Sequence, residues 1–153
     1  MASGQVIKHK MLAHDGTIFH LTEDPEGSVG VGFRATDAIE ETIADGTDGT
    51  GNAAVDLGAN FKVIGVVCED CQFIQAATDM NAGVAFDPNG ALCDLYEQDD
   101  PSTLWDPGAI PATGTMAFIL THAFGARKIR FTLSLPASGG DVVLRIFGFH
   151  SGG

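Results

Sequence analysis

Apolar and polar positions alternate along much of this chain. In "KIRFTLSL" (128–135), Ile129, Phe131, Leu133 and Leu135 fall on one side and Lys128, Arg130, Thr132 and Ser134 on the other. That is the two-residue period of a strand with one face buried. "VGVGFR" (29–34) repeats the pattern with Val29, Val31 and Phe33. The runs "FKVIGVV" (61–67), "CQFIQAAT" (71–78), "TMAFILTH" (115–122) and "VVLRIFGF" (142–149) are rich in β-branched or aromatic residues and bounded by turn formers, which marks them as strands. With further strands near 5–12 and 17–21, the pattern predicts eight or nine. "ATDAIEETIA" (35–44) alone reads as a short helix, capped by Thr36 or Asp37, with Ala38, Ile39 and Ile43 inward. Closely spaced strands without alternating helices imply an all-β fold, an antiparallel β-sandwich or jelly roll with at most one short helix. Phe61, Val63, Val67, Phe118, Leu120, Ile129, Phe131, Leu133, Leu144 and Ile146 are the expected core.

At 153 residues the chain has the length of one domain able to bury a core without staples. No repeat or long linker divides it, so residues 1–153 are read as a single domain with an N-terminal arm at 1–15 and a flexible Gly-rich tail. The 20 glycines imply many turns, and "DGTDGTGN" (45–52) reads as an exposed loop. Twenty acidic against eight basic side chains give a net charge of -12. The few cations are dispersed, so a phosphate backbone is repelled and no nucleic-acid partner is expected. No stretch approaches the roughly 18 apolar residues of a membrane span, and the N-terminus lacks the apolar run of a secretion signal. The expectation is a chain made in the cytoplasm, with no membrane partner. Three cysteines, an odd number, argue against a disulfide framework.

Three stretches, in order, carry a resemblance. "AVDLGANFKVIGV" (54–66) looks like a strand, Asp-Leu-Gly turn and strand; "GARKIRFTLS" (125–134) and "VVLRIFGF" (142–149) follow as framework strands. Together they resemble the galactose-binding-like, or discoidin-type, β-sandwich over about two thirds of the chain. The resemblance implies a domain that binds glycans, lipid head groups or proteins through loops at one end and does not catalyse. Asp56 also has a plain physical role, because its carboxylate can accept turn N–H groups while Gly58 supplies a positive φ.

Candidate chemistry is sparse. "CEDC" (68–71) has zinc-type spacing, but Cys93 is the only other cysteine and no partner motif completes four ligands. Asp45, Asp48 and Asn52 offer oxygens without the spacing of a calcium loop. His9, His14, His20, His122 and His150 join no recognisable triad, metalloprotease or phosphate-loop motif. No catalytic residue, metal or cofactor is therefore expected.

The most unusual stretch is "LYEQDDPSTLWDPGAIP" (95–111), which holds the only Tyr and the only Trp among four carboxylates. An aromatic ring with directional acceptors beside it is a binding chemistry. Tyr96, Asp99, Asp100, Trp105 and Asp106 are the candidate contact residues; the alternative is that Trp105 pins the loop to the core. Two functions fit. One is a non-catalytic virion subunit, a phage capsid-decoration or head/tail accessory protein that binds copies of itself and other particle proteins. The other is a carbohydrate-binding module recognising glycans through the aromatic-acidic loop.

Overall fold

A computed structural model describes the backbone of residues 9–12, 18–23, 29–30 and 34–150, and the side chains of 35–150. The chain divides into two compact units, 1–34 with 150–153, and 35–149. In the first, β1 (His9–Leu12), β2 (Ile18–Glu23) and β3 (Val29–Gly30) form an antiparallel sheet in that order, with His9 opposite Leu21 and Thr22 opposite Gly30. These match the strands expected near 5–12, 17–21 and 29–34 where they overlap; most of the arm at 1–15 and the tail at 151–153 lie outside the described residues.

The second unit carries the sandwich, built from nine strands. They are β4 (Arg34–Ala35), β5 (Ile39–Ile43), β6 (Val55–Phe61), β7 (Ile64–Glu69), β8 (Met80–Ala85), β9 (Cys93–Asp94), β10 (Met116–Leu120), β11 (Ala126–Leu133) and β12 (Val142–His150). One sheet runs β10-β7-β12-β4, with β5 also on β12; the other runs β6-β11-β8-β9. The fold is the all-β sandwich that the alternation predicts, and its ladders are antiparallel. Every second residue points inward. Ile64, Val66 and Cys68 of β7 and Val142, Leu144 and Ile146 of β12 share one core with Met80, Ala82 and Val84 of β8 and Ile129, Phe131 and Leu133 of β11.

Three local expectations are corrected. Residues 35–44 form β4 and β5, not a helix: Ile39 and Ile43 are four apart, a spacing that suits either structure, and the edge of β12 captures them with Ile43 opposite Val142. β-branched Ile39, Thr42 and Ile43 fit that pleat. The run 71–78 is not a strand, because Asp70 turns left-handed (φ 62) and leads into a single 3-10 turn at Cys71–Phe73. The strand that follows, β8, reads "MNAGVA", and its small residues conceal it in the sequence. Of the expected core, Val63, Val67 and Phe118 are only half-buried, Phe118 packing against the core from β10. Phe61 ends β6 and the chain reverses at 62–63, so the parity restarts and Ile64 and Val66 face the core.

Trp105 is 5% exposed. Its ring lies 5.6 Å from that of Phe118 and 6.2 Å from that of Phe131, and Phe118 meets Phe131 edge-on at 5.9 Å. This cluster closes the sandwich between β10 and β11, and tilted ring pairs add to the area they bury. Trp105→Ala is therefore expected to lower stability by about 3–5 kcal/mol in urea titrations followed by circular dichroism. A change under about 1 kcal/mol would show the ring to be dispensable to the core.

Candidate functional site

The aromatic-acidic loop is a small hairpin. Tyr96 bridges Leu104, the Glu97 amide donates to the Thr103 carbonyl at 2.8 Å, and the Trp105 amide donates to the Leu95 carbonyl at 2.9 Å. Asp99 and Asp100 lie at its exposed tip and Trp105 at its buried base. Tyr96 is 40% exposed. The five candidates are thus not brought onto one surface. Asp100 caps the tip, accepting from the Ser102 hydroxyl (2.6 Å), the Thr103 hydroxyl (2.6 Å) and the Ser102 amide (3.0 Å); these bonds hold its carboxyl below the usual range. Asp106 accepts from the Gly108 amide at 2.6 Å, and its own amide donates to Glu97.

Beyond Asp106 the loop forms one wall of a cleft of about 710 Å³. Gly108, Ala109, Ile110 and Pro111 continue that wall, Phe73 through Asp79 form the other, and Ser138 contributes from the β11–β12 connection. Of the five candidates only Asp106 lines this cleft. Phe73 and Asp79 carried no signal in the sequence, since they sit in or beside a run that reads as an ordinary strand.

A second feature escaped the sequence entirely. Glu41, on β5, is 4% exposed. β6 begins opposite Ile129, so the edge of β11 beyond that point has no strand partner among the described residues. There the Phe131 amide donates to Glu41 Oε2 at 3.4 Å and the Leu133 amide to the Asp48 carbonyl at 2.8 Å. A side chain from one sheet thus completes the ladder of the other. Glu41 Oε1 and the nearby Arg130 Nε have no hydrogen-bond partner among the described residues. Burial pushes the Glu41 carboxyl up from 4.5 to about 7, against the opposing pull of the Phe131 amide, the Asn52 side chain and Arg130.

The other sequence candidates resolve into framework. Asp56 is exposed, not buried; its Oδ1 accepts from the Gly58 amide at 2.8 Å and from Arg127 Nε at 2.9 Å. The Arg127 bond first, and the Gly58 amide second, lower its carboxyl. The Asp-Leu-Gly segment is a bulge inside β6, with Gly58 at φ 79, rather than a turn between strands. Cys68 and Cys71 are buried with sulfurs 3.6 Å apart, and burial first, then the neighbouring Cys71 thiol, raises the Cys68 thiol. Asp45 accepts from the Gly139 amide, Asp48 from the Thr50 amide and hydroxyl, and Asn52 donates to the Thr42 carbonyl. These bonds fold the 45–52 loop. Among the described residues no three His, Cys, Asp or Glu side chains gather as metal ligands.

No family model, curated protein or solved structure matches this chain. Its own surface is the guide to its function.

Two outcomes are expected. Because Glu41 holds its proton more tightly when folded, its contribution to stability is fully present below about pH 4.5 and is lost as pH rises to about 7, a change of about 3 kcal/mol. Subtracting the pH profile of Glu41→Gln from that of the native chain, by urea titration between about pH 4 and 8, should reveal that fall; a flat difference would contradict it. Treatment with EDTA should leave the melting temperature unchanged, because neither "CEDC" nor 45–52 offers a complete ligand set. A drop of many degrees would place a structural metal in the fold.

Proposed function

We propose that this chain is a non-catalytic structural subunit of a virus or phage particle, acting through protein–protein contact on the outer face of its five-stranded sheet. The supporting observation is how that face is composed. Cross-strand register places Ile119 opposite Gly65, and Gly65 opposite Phe147. A Cβ on Gly65 would stand 2.5 Å from the Phe147 ring and 2.9 Å from that of Phe149. Only glycine lets the two rings lie across the strand, where they meet edge-on at 5.1 Å. Ile119 beside them is 57% exposed, and Ala117 and Val67 occupy the adjoining row. Contiguous apolar surface of this kind marks interaction sites.

The adjoining edge favours the same reading. β10 has no strand on its outer side among the described residues and carries no charge from Met116 to Leu120. Natural edges are usually guarded by charge, bulges or cover. β5, by contrast, carries Glu40 and Glu41, and β6 is bulged. β-sandwiches are common in particle shells, and a strongly acidic remainder keeps closely packed copies soluble. Partners on this reading are further copies of the chain and other particle proteins, and its place is the virion. The discoidin-type kinship is also a proposal; its three stretches correspond to β6–β7, β11 and β12, so Gly65, Phe147 and Phe149 of the proposed contact face lie within them.

The carbohydrate reading loses Trp105, whose ring is packed inside the sandwich, and keeps exposed Tyr96 and the loop carboxylates. Ile119→Lys is expected to weaken self-association or particle binding by about 1–3 kcal/mol, read by light scattering and sedimentation, with an unchanged circular dichroism spectrum. A chain that neither self-associates nor binds particle proteins, or association that survives Ile119→Lys intact, would remove this face from consideration.

A further inference from the structure

The cleft beside Asp106 is not part of the sheet face. It opens where β7, β11 and the approach to β10 give way to loops. Its walls are tied by hydrogen bonds of the lining residues themselves. The Ser138 amide donates to the Phe73 carbonyl at 2.9 Å, Gln75 Nε2 to the Pro136 carbonyl at 2.7 Å, and the Thr78 hydroxyl to the Gln75 carbonyl at 2.6 Å. The backbone of Asp79 is held on both sides by Ser134, whose hydroxyl accepts its amide and whose amide donates to its carbonyl. Gly140 supports the Phe73 ring from behind, since a Cβ there would come within 2.6 Å of it. Ala77 sits in the left-handed region at φ 59, a conformation unfavourable to a residue with a Cβ and retained where surrounding structure imposes it.

The chemistry of the lining is one-sided. Asp79 and Asp106 are its only ionisable side chains among the described residues. Asp106 uses one oxygen to cap Gly108, and the Asp79 carboxylate accepts no hydrogen bond from the described residues. Among the described residues no lysine, arginine or histidine lines the cleft, in a chain of net charge -12. Phe73, Ile110 and Pro111 supply apolar surface to the same lining. A guanidinium suits this combination: it is planar, stacks on an aromatic face, presents a fork of donors to carboxylates and sheds water more readily than an ammonium. A neutral sugar could lie on Phe73 but would leave both charges uncompensated.

We propose that this cleft receives an arginine side chain from an extended segment of a partner protein, with Asp79 and Asp106 as its carboxylate acceptors and Phe73 as its stacking surface. The proposal deepens, and rests on, the reading of the chain as a contact protein. It assigns a second contact, ionic where the sheet face is apolar.

The test is an amide NMR titration of the full chain with N-acetyl-arginine amide, alongside N-acetyl-glutamine amide and a panel of methyl glycosides. The arginine probe should shift amides within 72–79 and 106–112, the glutamine probe should not, and raising salt should weaken the effect. In the Asp79→Asn, Asp106→Asn double variant the affinity should fall about tenfold or more. Asparagine keeps an oxygen for the Gly108 cap, so the loop is retained. No shift with arginine, shifts that survive the double variant, or glycosides shifting these amides in its place would overturn the assignment. Ile119→Lys should leave the arginine shifts intact, so loss of assembly in that variant reports on the sheet face and loss of arginine binding on the cleft.

Discussion

The pairing of β7 with β12 is the constraint on which the rest of the sandwich depends. Leu144 lies opposite Cys68 and Ile146 opposite Val66, so two central strands present one continuous apolar layer to β8 and β11. Because the side-chain period is two, the same register fixes what the outer face shows. Val67, Phe147 and Phe149 are outside because Ile64, Val66, Leu144 and Ile146 are inside. Core and outer face are therefore two readings of one register, and a slip by one residue would exchange them.

How much of this was legible follows from where the causes are local. β10, β11 and β12 stood out because Phe118, Leu120, Ile129, Phe131, Leu144 and Ile146 alternate with other residues over full strand lengths. β5 did not, since Ile39 and Ile43 fit a helix equally well and the deciding partner, Val142, lies about a hundred residues away. β8 was hidden by Asn81, Ala82 and Gly83, whose weak strand preference is overridden by Leu133 and its neighbours across the ladder. In the candidate loop, the sequence singled out Trp105 correctly as exceptional but could not say whether its ring turned inward. Asp106 was found through that loop; Phe73, Asp79 and Glu41 acquire meaning only when distant segments meet.

Charge is distributed with the same economy. Arg127 pairs with Asp56, and Arg145 bridges Glu69 and Glu40 at 3.1 Å each. Such exposed pairs contribute little to stability. Their larger effect is to engage cations internally, leaving most carboxylates among the described residues without an ion-pair partner. The surface is consequently anionic in composition but carries an apolar patch at Ile119, Phe147 and Phe149 beside the Arg145 ion pairs of the same sheet face, a contrast that separates salt-sensitive from salt-insensitive contacts.

The three thiols differ in accessibility. Cys93 is exposed, while Cys68 and Cys71 are buried at the junction of β7 and the 3-10 turn. Alkylation of Cys93 needs no motion of the fold, whereas the buried pair reacts only when this end of β7 opens. The chain thus carries its own clock: the lag between the first thiol to be modified and the other two measures how often one corner of the sandwich comes apart while the rest stays closed.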